Sequence, residues 1–149
     1  MLERTFLMVK PDGVQRELVG DIISKLEKKG LKIVALKMLK ISKELAELHY
    51  IEHREKPFFK DLVKFITSSP VVAMVLEGEN VIDIVRKLAG KTNPKDAMPG
   101  TIRGDFALDL SQNVVHTSDS KESAVREINN FFNEEEIVEY DLEVGPWIS

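Results

Sequence analysis

Apolar positions recur along the chain in two rhythms, one alternating and one helical, and the switches between them mark its elements. Thr5 to Val9 is an apolar run ended by the turn sequence Lys10-Pro11-Asp12-Gly13, so it reads as a buried strand. Val19, Ile22, Ile23 and Leu26 lie at helical spacing and Gly30 follows where a left-handed cap is wanted, which predicts a helix over 19–28. Ile33 to Ile41 sets Ile33, Ala35, Leu39 and Ile41 against lysines, as in a half-exposed strand. Ser42 is a good N-cap for a helix that carries Leu45 and Leu48 on one face and reaches Tyr50 to His53. Pro57 opens a second, short helix striped by Phe58, Leu62, Phe65 and Ile66, and Ser68-Ser69-Pro70 closes it.

Val71 to Leu76 is apolar without alternation, the mark of a strand covered on both faces. Asn80 is expected to cap a helix that runs through Ala89 and stops at Gly90. Periodicity is lost from Lys91 to Asp109, and a structureless stretch of this length in a compact domain is usually functional. Asn113 to His116 reads as a short strand, and 120–132 as a helix with Ala124, Ile128, Phe131 and Phe132 on one face. A glutamate run, Glu134 to Glu136, and a tail through Trp147 follow, the tail packing on its own or a neighbouring subunit. This order of strands and helices favours an α+β sandwich of βαββαβ logic, a four-stranded antiparallel sheet with helices on one face, in one domain over 1–149.

Composition narrows the classes. With 43% hydrophobic and 31% charged residues, the chain is ordinary for a soluble globular protein. It has no cysteine, which removes disulfides and thiolate metal sites and suits a cytoplasmic location. No signal peptide and no stretch of transmembrane length are evident, so no membrane partner is expected. A net charge of -4 argues against nucleic acid as a general partner, whereas Arg86, Lys87, Lys91, Lys95 and Arg103 make the middle locally basic and suit a small anion.

The chemistry is densest in Asn113-Val-Val-His116-Thr-Ser118-Asp119-Ser120, where a strand delivers a histidine to the start of a helix. There the backbone N–H groups could receive an anion, and Asp119 with Glu122 forms a passable capping pair. A lone histidine is more often a packed or surface group. Imidazole is nevertheless a competent phosphoryl or acyl acceptor if another group fixes its free nitrogen, and Glu127 is the candidate for that role. Lys10 ends the first strand and can project toward a ligand. Arg86 precedes the long loop and Arg103 lies inside it between glycines, so the two could clamp phosphate oxygens or simply form surface ion pairs.

His49-Tyr50-Ile51-Glu52-His53 matches H-x-x-E-H, the inverted zinc-peptidase pattern, but five residues are weak evidence and an exposed helix end is the blander reading. Phe58 and Leu62, four apart, are core by default and a slot for a nucleobase by function. No G-x-x-x-x-G-K-[ST] segment exists, and the protein-kinase signatures are missing. An RNA-binding sheet would need interleaved basic and aromatic residues that the chain lacks.

Val9-Lys10-Pro11-Asp12-Gly13-Val14, His49-Tyr50, Lys56-Pro57-Phe58-Phe59, Thr92-Asn93-Pro94, Pro99-Gly100-Thr101-Ile102-Arg103-Gly104-Asp105-Phe106, Asn113-Val-Val-His116-x-Ser118-Asp119-Ser120 and Glu122-Ser123-Ala124 resemble, in order and nearly end to end, the motifs of the nucleoside diphosphate kinases. The resemblance implies a ferredoxin-like fold and ping-pong transfer of a γ-phosphate, usually from ATP, to a nucleoside diphosphate. It implies His116 as the phosphorylated nucleophile, Glu127 and Ser118 as its orienting groups and Tyr50 beside it. Lys10, Arg86, Thr92 and Arg103 would hold phosphates, Lys10 and Asn113 would meet the sugar hydroxyls, and Phe58 would stack on the base next to Leu62. Mg²⁺ would arrive on the nucleotide phosphates, near Asp119 and Glu52. The family also implies a homo-oligomer, commonly a hexamer. Thr117 departs from the Gly or Ala usual between the histidine and Ser-Asp-Ser. A non-catalytic nucleotide-binding module is the alternative function.

Overall fold

A computed structural model describes residues 2–149. Four strands, β1 (Leu2–Val9), β2 (Lys32–Leu39), β3 (Val71–Glu79) and β4 (Val115–Thr117), form one sheet in the order β2-β3-β1-β4. Every pairing is antiparallel, and the β1–β3 ladder runs from Leu2 opposite Glu79 to Val9 opposite Val72. Among the described residues seven α-helices accompany the strands: α1 (Pro11–Gln15), α2 (Val19–Lys29), α3 (Lys43–His49), α4 (Phe59–Ile66), α5 (Val81–Ala89), α6 (Ile102–Phe106) and α7 (Lys121–Phe131). The α+β class and the antiparallel four-stranded sheet are as the hydrophobic pattern indicates.

Helices on one face is corrected: they cover both. Phe6 and Met8 of β1 pack with Ala46 of α3, Ile66 of α4 and Ile128 and Phe131 of α7. Leu7 and Val9 point the other way, among Ile22 and Leu26 of α2, Val85 of α5 and Ile102 of α6. The unbroken apolar runs in β1 and β3 are the physical reason, since a strand open to water on one side would alternate. In β2 a bulge places Ile33 opposite Leu76 and Ala35 opposite Val75, so Val34 is the extra residue and shares a core with Ala35.

The stretch 91–109 is more ordered than its lost periodicity suggests. It holds a 3₁₀ turn at Pro94–Asp96 and then α6, whose N-cap Thr101 accepts the Gly104 N–H at 2.9 Å. Gly104 is obligatory, because a Cβ there would sit 1.9 Å from the Met98 carbonyl oxygen. Asn80 does not cap α5 with its side chain. Its φ of 55° places it in the left-handed region, and the carboxylate of Glu3 accepts the Ile82 N–H instead. The tail packs along β2, with the Val138 N–H donating to the Val34 carbonyl at 2.8 Å and the Tyr140 hydroxyl to that of Ile33 at 2.5 Å. No helix of the described residues is long and apolar enough to cross a membrane.

Candidate active site

The site is built where β4 leaves a strained turn. Val114 has φ 77°, rare for a β-branched residue, and the Val115 N–H closes onto the Asn113 carbonyl at 2.9 Å, a γ-turn of the strained kind. The expected strand over 113–116 therefore shortens and shifts to Val115–Thr117. Three neighbours hold the turn through four hydrogen bonds. Its Val114 N–H donates to the Asp12 carboxylate at 3.0 Å, and its Val114 carbonyl accepts the Lys10 N–H at 2.8 Å. Arg103 donates through Nη2 to the Val115 carbonyl at 2.7 Å and through Nε to the Asn113 carbonyl at 3.3 Å. Backbone strain of this kind persists only where surrounding groups over-determine it.

After the turn, Met8 of β1 faces His116 across the ladder, which turns the imidazole toward α7. The Nε2 of His116 lies 2.9 Å from Oε2 of Glu127, a residue buried on α7. The Ser118 hydroxyl donates to Oε1 of the same carboxylate at 2.5 Å. Burial alone would raise the Glu127 pKa, but the His116 hydrogen bond and charge and the Ser118 hydrogen bond outweigh it and hold the group ionised below its ordinary value. An ionised carboxylate only accepts, so Nε2 carries the proton and Nδ1 of the neutral ring keeps the free lone pair.

The start of α7 corrects two expectations. Ser120, not Asp119, is the N-cap and Ser123 stands in the reciprocal position expected of Glu122. The Ser123 hydroxyl accepts from the Asp119 and Ser120 N–H groups and donates to Asp119 Oδ1 at 2.9 Å. Those N–H groups are thus committed to the cap and are not free for an anion, whose charge must be met by side chains instead.

His49 is a site residue that the pattern H-x-x-E-H does not place correctly. Far from an exposed helix end, it is buried, with its ring 4.6 Å from that of His116 at an interplanar angle of 81°. Burial, then the neighbouring His116, pushes its pKa down to about 3, so it is neutral. The signal was in its spacing: His49 follows Leu45 and Ala46 by one helical turn, on the buried face of α3. Tyr50 follows it, its hydroxyl pushed up to about 12 by burial and then by Glu127, so it stays a neutral donor. His49, Tyr50, Glu52, Asp119, His116 and Glu127 line one cavity of about 140 Å³.

The cations arrive from other segments. Lys10 Nζ donates to Asn113 Oδ1 at 2.6 Å, and Asn113 Nδ2 donates to the Thr92 carbonyl at 3.0 Å, which ties the first strand, the long loop and β4 together. Burial lowers the Lys10 pKa to about 8, against the pull of Asp12. Arg103 is buried, its pKa lowered to about 10 by burial and then by the charge of Arg86. Three of its five donors go to backbone carbonyls, including Gly90 at 2.9 Å, so Arg103 is a tethered cation rather than a mobile surface arginine. Arg86 and the side chain of Thr92 remain exposed. Phe58 is 44% exposed at the start of α4, one turn before the half-buried Leu62.

Two oxygen donors fit a hard cation. The Ser123 hydroxyl, donating to Oδ1 at 2.9 Å, holds the Asp119 carboxyl below its usual range, with the charge of Arg86 adding to the effect. Glu52 accepts from Arg126 through Oε1 at 2.8 Å and shares the cavity. One or two carboxylates beside substrate phosphates are what Mg²⁺ commonly uses.

A carboxylate-bound histidine beside a lysine and paired arginines, on an antiparallel sheet covered by helices, defines a phosphotransferase that works through a side-chain nucleophile. The chain belongs to the nucleoside diphosphate kinase family, whose model matches residues 3–137. It is 65% identical over 147 residues to a nucleoside diphosphate kinase of Archaeoglobus fulgidus, covering 99% of this chain and 97% of that one. With the enzyme of Halalkalibacterium halodurans the identity is 58% over 147 residues, covering 99% and 100%. The solved structure of the Halobacterium salinarum nucleoside diphosphate kinase in complex with CDP matches with a TM-score of 0.97 at 52% identity, over 100% of this chain and 99% of that chain.

Proposed function

We propose that this protein moves the γ-phosphate of a nucleoside triphosphate, usually ATP, to a nucleoside diphosphate through a phosphohistidine at Nδ1 of His116. The observation that carries the reading is the 2.9 Å bond from His116 Nε2 to the buried carboxylate of Glu127, which leaves Nδ1 as the nucleophilic nitrogen. The Nδ1 lone pair attacks the γ-phosphorus, a P–N bond forms, and the bond to the bridging oxygen breaks to release the diphosphate. The ring then carries a positive charge, which Glu127 balances without taking the proton, while Ser118 keeps the carboxylate in place. In the second half-reaction a terminal phosphate oxygen of the acceptor takes the phosphoryl group and His116 is regenerated.

Lys10, Arg86 and Arg103 meet the phosphate oxygens and Thr92 contributes its hydroxyl, Lys10 and Asn113 reach the sugar hydroxyls, and Tyr50 donates beside the nucleophile. Phe58 stacks on the base with Leu62 beneath, and because every base has a π-face, discrimination among bases is weak. Asp119 and Glu52 would hold Mg²⁺ brought by the nucleotide, which would supply neutralising charge at the phosphates. The reaction belongs to one domain in the cytoplasm, in line with a chain without cysteine. A homo-oligomer, with a hexamer favoured, is supported by apolar side chains left in water, among them Met38 at 62% and Trp147 at 90% exposure.

Initial velocities with ATP and dTDP test the reaction. Parallel double-reciprocal lines are expected of a covalent intermediate, intersecting lines would refute it, and a module that only binds nucleotide would consume no ATP.

A further inference from the structure

The histidine-rich pattern 49–53 has a part that phosphoryl transfer does not use. Its two histidines do not come together as a zinc pair. Instead one ring nitrogen of His49, one of His116 and one carboxylate oxygen of Glu127 lie within 4.8 Å of one another. Both nitrogens of His49 are buried and without a hydrogen-bond partner. A buried imidazole left unpartnered is costly when a phenyl ring would fill the same space among Phe6, Phe131 and His116, so its nitrogens call for a ligand.

We propose that His49, His116 and Glu127 form an inhibitory site for a divalent transition-metal ion, represented by Zn²⁺, which takes the nucleophilic histidine out of service when bound. Two neutral imidazoles and one carboxylate are the donors that borderline-soft ions prefer, whereas Mg²⁺ and Ca²⁺ seek oxygen, so the site is separate from the cation carried on the nucleotide. Zn–N distances of about 2.0–2.1 Å put tetrahedral donors roughly 3.4 Å apart, so the three must close in. His116 is the group able to move, its side chain 26% exposed against 4% for Glu127. His49 is fixed by its aromatic neighbours.

The surroundings meet the other requirements of a metal site. Ser118 engages Oε1 of Glu127 and so aims Oε2 at the ion, the kind of outer hydrogen bond that orients a ligating carboxylate. All three ligands line the same cavity, which gives the ion a path from solvent and leaves its fourth position to water. The ion takes Nε2 of His116 in place of its proton, which passes to water, so the bond to Glu127 is replaced, and ligation pulls the ring toward His49 and away from the phosphate. Phosphorylation and the metal are therefore mutually exclusive.

The test uses the full chain, freed of metal and nucleotide and titrated with Zn²⁺ by calorimetry, with Co²⁺ as a spectroscopic probe. About one ion per chain and the visible absorption of tetrahedral Co²⁺ are expected. His49→Phe, which preserves the aromatic packing, and His49→Gln, which keeps polarity without an imidazole, should each weaken Zn²⁺ binding by about 100-fold. With Mg²⁺ in excess, low Zn²⁺ should cut wild-type phosphoryl transfer by about tenfold, reversed by a chelator that prefers Zn²⁺, and leave each variant's own rate unchanged. Absence of binding, equal binding by wild type and both variants, or a Zn²⁺-bound protein still phosphorylated by ATP would overturn the proposal. The calorimetry needs no catalysis, so its failure is distinct from failure of the kinase reading.

Discussion

Glu127 of α7 accepts the Nε2–H of His116 of β4 at 2.9 Å and is itself held by the Ser118 hydroxyl. In the proposed mechanism this relationship sets the tautomer of the nucleophile and supplies the charge that balances the phosphorylated ring. Glu127→Gln keeps the shape but removes the charge, and its amide can present a donor that forces the wrong tautomer. Steady-state kinetics should show kcat lowered by about 10²–10⁴-fold. Retention of full activity in a folded Glu127→Gln protein would remove the carboxylate from the mechanism.

Lys10 gives the pH dependence. Burial lowers its pKa from 10.5 to about 8, so it loses its charge in the folded protein before it does in the unfolded chain. Between those values the unfolded state binds more protons, and stability attributable to this group therefore rises with pH across that window. Under the proposed role of Lys10 activity moves the other way, because a neutral amine no longer attracts phosphate. A fall in kcat/KM above pH ~8 is expected, and Lys10→Arg, which cannot deprotonate there, should lose that alkaline limb even if its overall rate is lower.

The strained turn gives a structural test. Asp12→Ala removes the acceptor of the Val114 N–H and frees a γ-turn that presents His116. Unfolding measurements should show a loss of about 1–3 kcal/mol, together with a lower kcat from misplacement of the nucleophile. Stability within error of wild type would mean that the other contacts hold the turn without Asp12.

Phe58 separates binding from folding. With 44% of its surface exposed, Phe58→Ala should change stability little, while loss of stacking should cost about 1–3 kcal/mol in binding. Equilibrium titrations should show comparable weakening for purine and pyrimidine nucleotides. Loss confined to one base would contradict recognition by the π-face.

Much of this site is visible in the sequence, because its parts are local. The strand before Pro11, the Ser120 region opening a helix and Glu127 one face along it are matters of spacing and capping. What spacing cannot convey is the strain at Val114, since two adjacent valines favour a strand and only Asp12, Lys10 and Arg103, brought from afar, hold the turn. Arg103 likewise looks like a loop arginine until its carbonyl partners are assembled. His49 hid behind a polar residue type on an apolar helix face. The covering of both sheet faces is legible in the unbroken apolar run of β1. Thr117, beside the histidine, pairs with Leu7 in the sheet, where a β-branched side chain is at ease.

Covalent labelling tests the nucleophile most directly. Incubated with γ-labelled ATP and Mg²⁺ without an acceptor, the protein should gain label that is acid-labile and base-stable, lies on His116, and passes to added nucleoside diphosphate. His116→Ala should gain none. Label that persists in His116→Ala, or that maps to another residue of the wild type, would contradict a phosphohistidine at His116.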